Sequence, residues 1–334
     1  MASASRQAVL AAIVALTATA CSAPPETQKE TLLVDTDRAP DEVVPLWPDG
    51  APGGAAVQLT EHIESRMDPR NVPYDSAVDV TRPTLSVFRA AHPDGSALLI
   101  VPGGGYSLVV VDHEGWESAR WFSRHGPTAY VMTYRMPHQG WSAGPDTPLQ
   151  DAQRAIRLIR SRAAQDGIDP ARVMVMGFSA GGHLAGSLAE RFDEQVYPPI
   201  DGVDALSARP DAAALIYPVV TMQEPSVHLG SRKNLIGESP AAALIAKYSL
   251  ETAPPAGTPP MLLIHAGDDP AVPVENSIEL YAALQRAHIP AAMHLFEKGG
   301  HGFGMRGLDD GPLHLWPQLV MDFGTAHGVF RTPR

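Results

Sequence analysis

The chain has a single cysteine, Cys21, in 334 residues. One thiol closes no disulfide within the chain and builds no Cys-based zinc site there. A segregated run of Lys and Arg is also missing, and 37 acidic against 25 basic residues leave a formal charge of -12. A surface with that excess of carboxylates repels phosphate, which argues against a nucleic-acid partner. The apolar run Ala8 to Leu16 (AVLAAIVAL) is too short to span a bilayer. There is no glycine period, and 44% of the residues are hydrophobic, so neither a collagen nor a wholly disordered chain fits.

What is present begins with an export pattern. Arg6 supplies a minimal positive region, the run Ala8 to Leu16 follows, and Ala18-Thr19-Ala20 has the small-x-small form of a cleavage site, so residues 1–20 read as a signal peptide. Cys21 comes directly after that site, and ATAC resembles the lipobox of bacterial lipoproteins, with Ala18 in place of the usual Leu. That resemblance implies lipidation of Cys21 and a periplasmic or cell-envelope lipoprotein, with free secretion as the alternative. Residues 21–43, rich in Pro, Glu, Asp, Thr and Lys without sustained periodicity, read as a tether. Residues 44–330 read as one folded domain that starts in earnest near Leu46.

From there short β-rich runs alternate with amphipathic segments. TLSVFRA (84–90), ALLIV (97–101), TAYVMTY (128–134), VMVMG (173–177), ALIY (214–217), MLLIHA (261–266) and AMHLF (292–296) predict strands. Ala152, Ile156, Ile159 and Ala163 recur at helical spacing while Arg154, Arg157, Arg160 and Arg162 point elsewhere, predicting a helix from Leu149 to about Gln165, with Thr147-Pro148 as its cap and first residue. Strands separated by helices imply an α/β domain with a mostly parallel central sheet and helices on both faces.

The segment VMVMGFSAGGHL holds GxSxG at Gly177-Phe178-Ser179-Ala180-Gly181, between a predicted strand and a predicted helix from His183 to Glu190. A serine nucleophile needs that sharp strand-to-helix turn, and the helix N-terminus turns positive partial charge toward the oxyanion that forms on attack. A serine hydroxyl also needs a base and an orienting carboxylate. GDDPAVP places Asp268 and Asp269 after the strand MLLIHA, at the edge where open α/β sheets keep their sites, and His301 follows in GGHGFG. His265 and His294 lie in strands and read as packed, and His183 as a hydrogen-bonded structural residue. Pro102-Gly103-Gly104-Gly105-Tyr106 resembles the HGGG oxyanion loop of lipases and esterases, with Pro102 for His, which implies Gly104, Gly105 and Ala180 as the oxyanion donors. Leu108 stands where the third glycine of a dinucleotide fingerprint would be, so that reading fails.

Together LWPDGAPG, VTRPTLSVF, PGGGY with HEG (113–115), YRMP, GFSAGGHLA, HLGSRKNLIGESP, HAGDDPAVPVENS and EKGGHGFG resemble the bacterial α/β-hydrolase carbohydrate esterases described as acetylxylan esterase-like, almost continuously from Leu46 to Phe323. The resemblance implies an α/β-hydrolase fold and a triad of Ser179, His301 and Asp269 rather than Asp268. It implies hydrolysis of acyl esters, acetyl groups on xylan-type poly- or oligosaccharides among them, with no metal and no organic cofactor. The expected partner is thus an ester substrate, an acetylated carbohydrate, and a membrane only through the N-terminal lipid. The Gly/Pro-rich loop 136–148 carries Trp141, whose indole, if exposed, stacks on a sugar ring, and Tyr106 is a second candidate substrate contact; packing is the alternative for both. Three other readings remain: a small-ester carboxylesterase without carbohydrate specificity, a prolyl-oligopeptidase-like peptidase, for whose large extra N-terminal domain 334 residues leave no room, and a non-catalytic binding module on the same fold.

Overall fold

The computed structural model describes residues 39–68, 71–306, 308 and 311–331. The signal peptide, Cys21 and most of the tether lie outside the described residues. In chain order the strands are β1 (Glu42–Pro45), β2 (His62–Met67), β3 (Pro73–Val78), β4 (Thr84–Phe88), β5 (Ala97–Val101), β6 (Val109–Val110), β7 (Thr128–Met132), β8 (Val173–Phe178), β9 (Ala212–Ile216), β10 (Met261–Ala266) and β11 (Ala291–Phe296). The helices are α1 (Glu117–Arg124), α2 (Thr147–Ser161), α3 (Ala163–Asp166), α4 (Ser179–Glu190), α5 (Leu229–Ile236), α6 (Ala242–Lys247), α7 (Glu275–Arg286) and α8 (Trp316–Ala326), with a π-helical turn at Asp112–Trp116.

Strands covered on both faces must be apolar along their whole length, and β5, β8, β9 and β10 are buried at every position. They form the middle of an eight-stranded sheet ordered β1-β4-β7-β5-β8-β9-β10-β11. From β7 to β11 every pairing is parallel, while β1 and β4 add an antiparallel edge. Val175, Leu215 and Leu263 share a core with Ile156 of α2, Leu184 of α4 and Leu280 of α7. On the opposite face Phe178 meets Trp316 of α8 with centroids 5.8 Å apart, and Trp316 meets Phe122 of α1 at 6.0 Å. The chain therefore has the α/β-hydrolase fold, a mostly parallel sheet with helices on both faces. A small antiparallel sheet, β2-β3-β6, lies beside it; β2 is exposed, β3 mixes polar and apolar residues and β6 is two residues long, so none gave a periodic signal.

Several boundaries differ from expectation for identifiable reasons. Glu42 and Val43, read as tether, begin the sheet, because Val43 to Pro45 pair with β4 and the Glu42 carboxylate accepts from Arg89 and Arg162. Strand β9 stops before Tyr217, whose φ of 37° takes the chain out of the sheet. The helix expected from 149 to 165 starts at Thr147, with Asp146 rather than Thr147 at the cap, and breaks at Arg162. Arg154, expected to face away from the core, is fully buried, held by Asp201, Asp204 and the Leu46 carbonyl. The helix behind the GxSxG turn begins at Ser179 itself rather than at His183.

Candidate active site

Strand β8 runs directly into α4, and Ser179 sits at the junction with φ of 52°, a left-handed conformation costly for a side-chain-bearing residue. Only small neighbours permit so sharp a turn. A Cβ on Gly177 would collide with the Gly181 carbonyl, and one on Gly181 with the carbonyls of Val101 and Pro102. The turn lifts the Ser179 hydroxyl to the carboxyl edge of the parallel strands, where the loops after β10 and β11 also converge.

Those loops bring up the other two residues. His301 Nε2 lies 2.9 Å from Ser179 Oγ, and His301 Nδ1 lies 2.7 Å from Asp269 Oδ2. The remaining Asp269 oxygen accepts the N–H groups of Ala271 (2.8 Å) and Val272 (2.9 Å), while His265 Nε2 stands 3.3 Å from Oδ2. Burial would raise this carboxyl, but hydrogen bonds from His265 and His301, the His301 charge and the Val272 N–H outweigh it and hold the group well below the usual carboxylate range. Asp269 is thus an anion facing the imidazole. Asp268 has a different task, accepting from the N–H groups of Gly299 (2.9 Å) and Gly300 (2.8 Å) and so pinning the loop that carries His301.

The glycine loop after β5 lies against the serine, since a Cβ on Gly103 would come within 2.9 Å of Ser179 Cβ. Gly104 (φ 132°) and Gly105 (φ 63°) need backbone conformations that other residues adopt at a cost. The Gly103 N–H is committed to Glu114 Oε2 at 2.6 Å, whereas no described group accepts from the N–H of Gly104 or Gly105. Ala180 lies in the first turn of α4, where an N–H has no intrahelical partner.

The two substrate contacts suggested for aromatic side chains do not fit. Trp141 is 6% exposed, stacked 4.7 Å from the guanidinium carbon of Arg135, itself buried and paired with Asp151. This arginine needs a planar, weakly hydrated face to cover it, and the indole provides one. Tyr106 is buried as well, its hydroxyl bonded to His183 Nδ1 at 2.7 Å, and His183 in turn reaches the Tyr248 carbonyl at 2.8 Å. Burial pushes the His183 imidazole down to about 4, so it stays neutral and structural at physiological pH. His265 is packed in β10, bonded to Ser277 Oγ and the Val272 carbonyl.

Residues without an expected role also border the site. His228 caps α5, its Nδ1 accepting the Ser231 N–H at 3.2 Å, and burial with the neighbouring His301 lowers its affinity for a proton. Asn234 of the same helix donates to the Gly105 carbonyl at 2.8 Å. Tyr217 stacks edge-on against the His301 ring, centroids 4.9 Å apart. His228 and Asn234 belong to the HLGSRKNLIGESP motif and Tyr217 ends the strand run ALIY, but the contacts of Asn234 and Tyr217 with loops far away in sequence leave no local pattern.

Comparison with known proteins follows the same geometry. The BD-FAE family model matches residues 96–284, a span holding Ser179, Asp269 and the glycine loop. Acetylxylan esterase of Xylanibacter ruminicola is 35% identical over 221 residues, covering 65% of this chain and 43% of that protein. Endo-1,4-beta-xylanase B of Butyrivibrio fibrisolvens is 36% identical over 220 residues, covering 65% and 34%. The chain thus spans less than half the length of these two relatives. The crystal structure of the acetyl ester-xyloside bifunctional hydrolase from Caldicellulosiruptor lactoaceticus superposes with a TM-score of 0.72 at 32% identity, covering 88% of this chain and 98% of that one.

Proposed function

Because the chain belongs to the BD-FAE family of acetylxylan esterase-like α/β-hydrolases, we propose that it is a serine carboxylesterase that removes acetyl groups from xylan-type poly- or oligosaccharides. The observation that carries this reading is the hydrogen-bonded series Asp269, His301, Ser179 at the carboxyl edge of the sheet. His301 takes the Ser179 proton as Oγ attacks the ester carbonyl, and Asp269 holds the tautomer with its proton on Nδ1 and stabilises the imidazolium. The developing oxyanion is received by the N–H groups of Gly104, Gly105 and Ala180. His301 then gives that proton to the departing sugar oxygen, which leaves as the alcohol; a water that gives its proton to the same imidazole hydrolyses the acetyl-enzyme, and the proton returns to Ser179 Oγ as acetate leaves.

Ser179→Ala is expected to lower kcat on an activated acetate ester by about 10⁴-fold or more, because the attacking oxygen is lost while the oxyanion donors remain. Undiminished turnover by the folded variant would sink the assignment. The substrate class is tested by acid release from acetylated xylan beside esters from acetate to long chain. Equal rates at every chain length with none on the polysaccharide would instead favour a small-ester carboxylesterase, a reading to which the burial of Trp141 lends weight, since it removes the proposed sugar platform.

The export pattern belongs to the same proposal: a Cys21-linked lipid would place the enzyme at the cell envelope. Cys21→Ser should abolish labelling by a palmitate analogue and release the activity from the membrane fraction; unchanged membrane partition would refute lipidation.

A further inference from the structure

The HEG segment has no part in the chemistry above, yet it occupies the centre of the site's framework. The π-helical turn Asp112–Trp116 inserts an extra residue into a helical turn, a feature that recurs where a side chain must be re-aimed. Here the side chain is Glu114, 3% exposed. Its Oε2 accepts the Gly103 N–H at 2.6 Å and its Oε1 accepts the Tyr217 hydroxyl at 3.0 Å. The Tyr217 oxygen in turn accepts the Gly304 N–H at 3.1 Å, and the tyrosine ring lies against His301. One buried carboxylate and one phenol therefore join the glycine loop to the histidine loop behind Ser179.

The same turn receives the histidine loop elsewhere. Met305 N–H donates to the His113 carbonyl, Arg306 pairs with Asp112 and Glu117, and a Cβ on Gly304 would lie 2.8 Å from the His113 carbonyl. These contacts fix where the loop docks. The Glu114 contact differs in kind, because it fixes the orientation of the Gly103 N–H and hence of the peptides that follow. If Gly103 were released, the next two N–H groups would lose their alignment on the oxygen of the carbonyl attacked by Ser179.

Resting on the esterase reading, we propose that Glu114 and Tyr217 are positioning residues that hold the oxyanion donors and His301 in register around Ser179, so that their loss weakens binding of the tetrahedral state and spares the ground state. Only a pure acceptor satisfies both neighbours of Glu114. A glutamine would present an NH₂ either to the Gly103 N–H, which is repulsive, or to Tyr217, whose own O–H would then lose its acceptor.

The test compares wild type, Ser179→Ala, Glu114→Gln and Tyr217→Phe, with active sites counted by the end point of fluorophosphonate labelling. Each variant of the pair is expected to lower kcat on an activated acetate ester by about 10- to 100-fold, the scale of a disturbed oxyanion site, with KM within about threefold of wild type. The inhibition constant of phenylboronic acid, which forms a tetrahedral adduct on a serine, should rise in parallel. The double variant should lose no more than the worse single one, because both changes open the same connection. Tyr217→Phe removes one oxygen only and serves if Glu114→Gln fails to fold. Wild-type kcat per labelled site, or a lowered kcat with an unchanged boronate constant, would overturn the inference while leaving the esterase reading in place. An inactive wild type, or activity that survives Ser179→Ala, would overturn both.

Discussion

Ser179 is held in a strained backbone conformation, and the residues around it spend their hydrogen bonds keeping it there and keeping its base in one orientation. Asp269 is the clearest case, since two backbone N–H groups and His265 fix the carboxylate before His301 draws on it. Asp269→Asn keeps the shape but favours the wrong imidazole tautomer, and kcat should fall by about 10⁴-fold with the fold intact. Asp268→Asn should do much less, because an amide oxygen still accepts from Gly299 and Gly300. Equal losses in the two variants, measured on the same acetate ester, would contradict the division of labour between neighbouring aspartates. At this scale the serine, the histidine and the aspartate pair were legible, because each stands in a short glycine-flanked or strand-end segment whose chemistry is local. Glu114, Tyr217 and Asn234 were not, since their meaning lies in partners 11, 103 and 129 positions away. Exposure and packing both stayed open for Trp141, because a Gly/Pro-rich loop gives no hint of the buried arginine beneath it.

At the scale of elements, the turn between β8 and α4 depends on two glycines more than on any hydrophobic contact. Gly181→Ala would push a methyl group into the Val101 and Pro102 carbonyls, which cannot give way without breaking β5 from β8. A loss of about 3 kcal/mol is expected, at the upper end for overpacked sites, and a urea midpoint equal to wild type would contradict it. Buried strands were legible because a sheet covered on both sides demands unbroken apolar runs. The edge strand β1 and the small sheet were not: four residues of alternating burial in an acidic stretch, or strands facing solvent, impose too weak a pattern to register. Helix α2 misled in a similar way, because an arginine periodicity opposite the apolar face signals solvent unless buried acids wait there, as Asp204 does for Arg154.

For the whole molecule, two buried titratable groups on α4 set opposite pH limits. His183 is neutral in the folded state down to about 4, while in the unfolded chain it takes up a proton below about 6.5. Stability is therefore lost as the pH falls from about 6.5 to 4, by about 3 kcal/mol in all. Burial, and then the neighbouring Glu251 charge, raise Glu190 well above the usual carboxyl range, and its Oε1 has no partner among the described residues. Its stability contribution is present below about pH 4.5 and is lost as the pH climbs toward its raised value. Denaturation between pH 4.5 and 8 should show His183→Gln flattening the acid side and Glu190→Gln stabilising the protein increasingly toward pH 8. A benefit of Glu190→Gln that is the same at both ends would rule out this account of the carboxyl.

The antiparallel edge has a consequence for which way the active site faces. Strand β1 runs in the same direction as β7, so Glu42 enters at the amino edge of the parallel strands. The Arg331 N–H at the far end of the described chain bonds Asp94, just ahead of β5 on that same edge. Both ends of the described chain thus leave on the side remote from Ser179. Fixed to a surface by either end, the molecule would present its catalytic rim outward, with the point of attachment behind it.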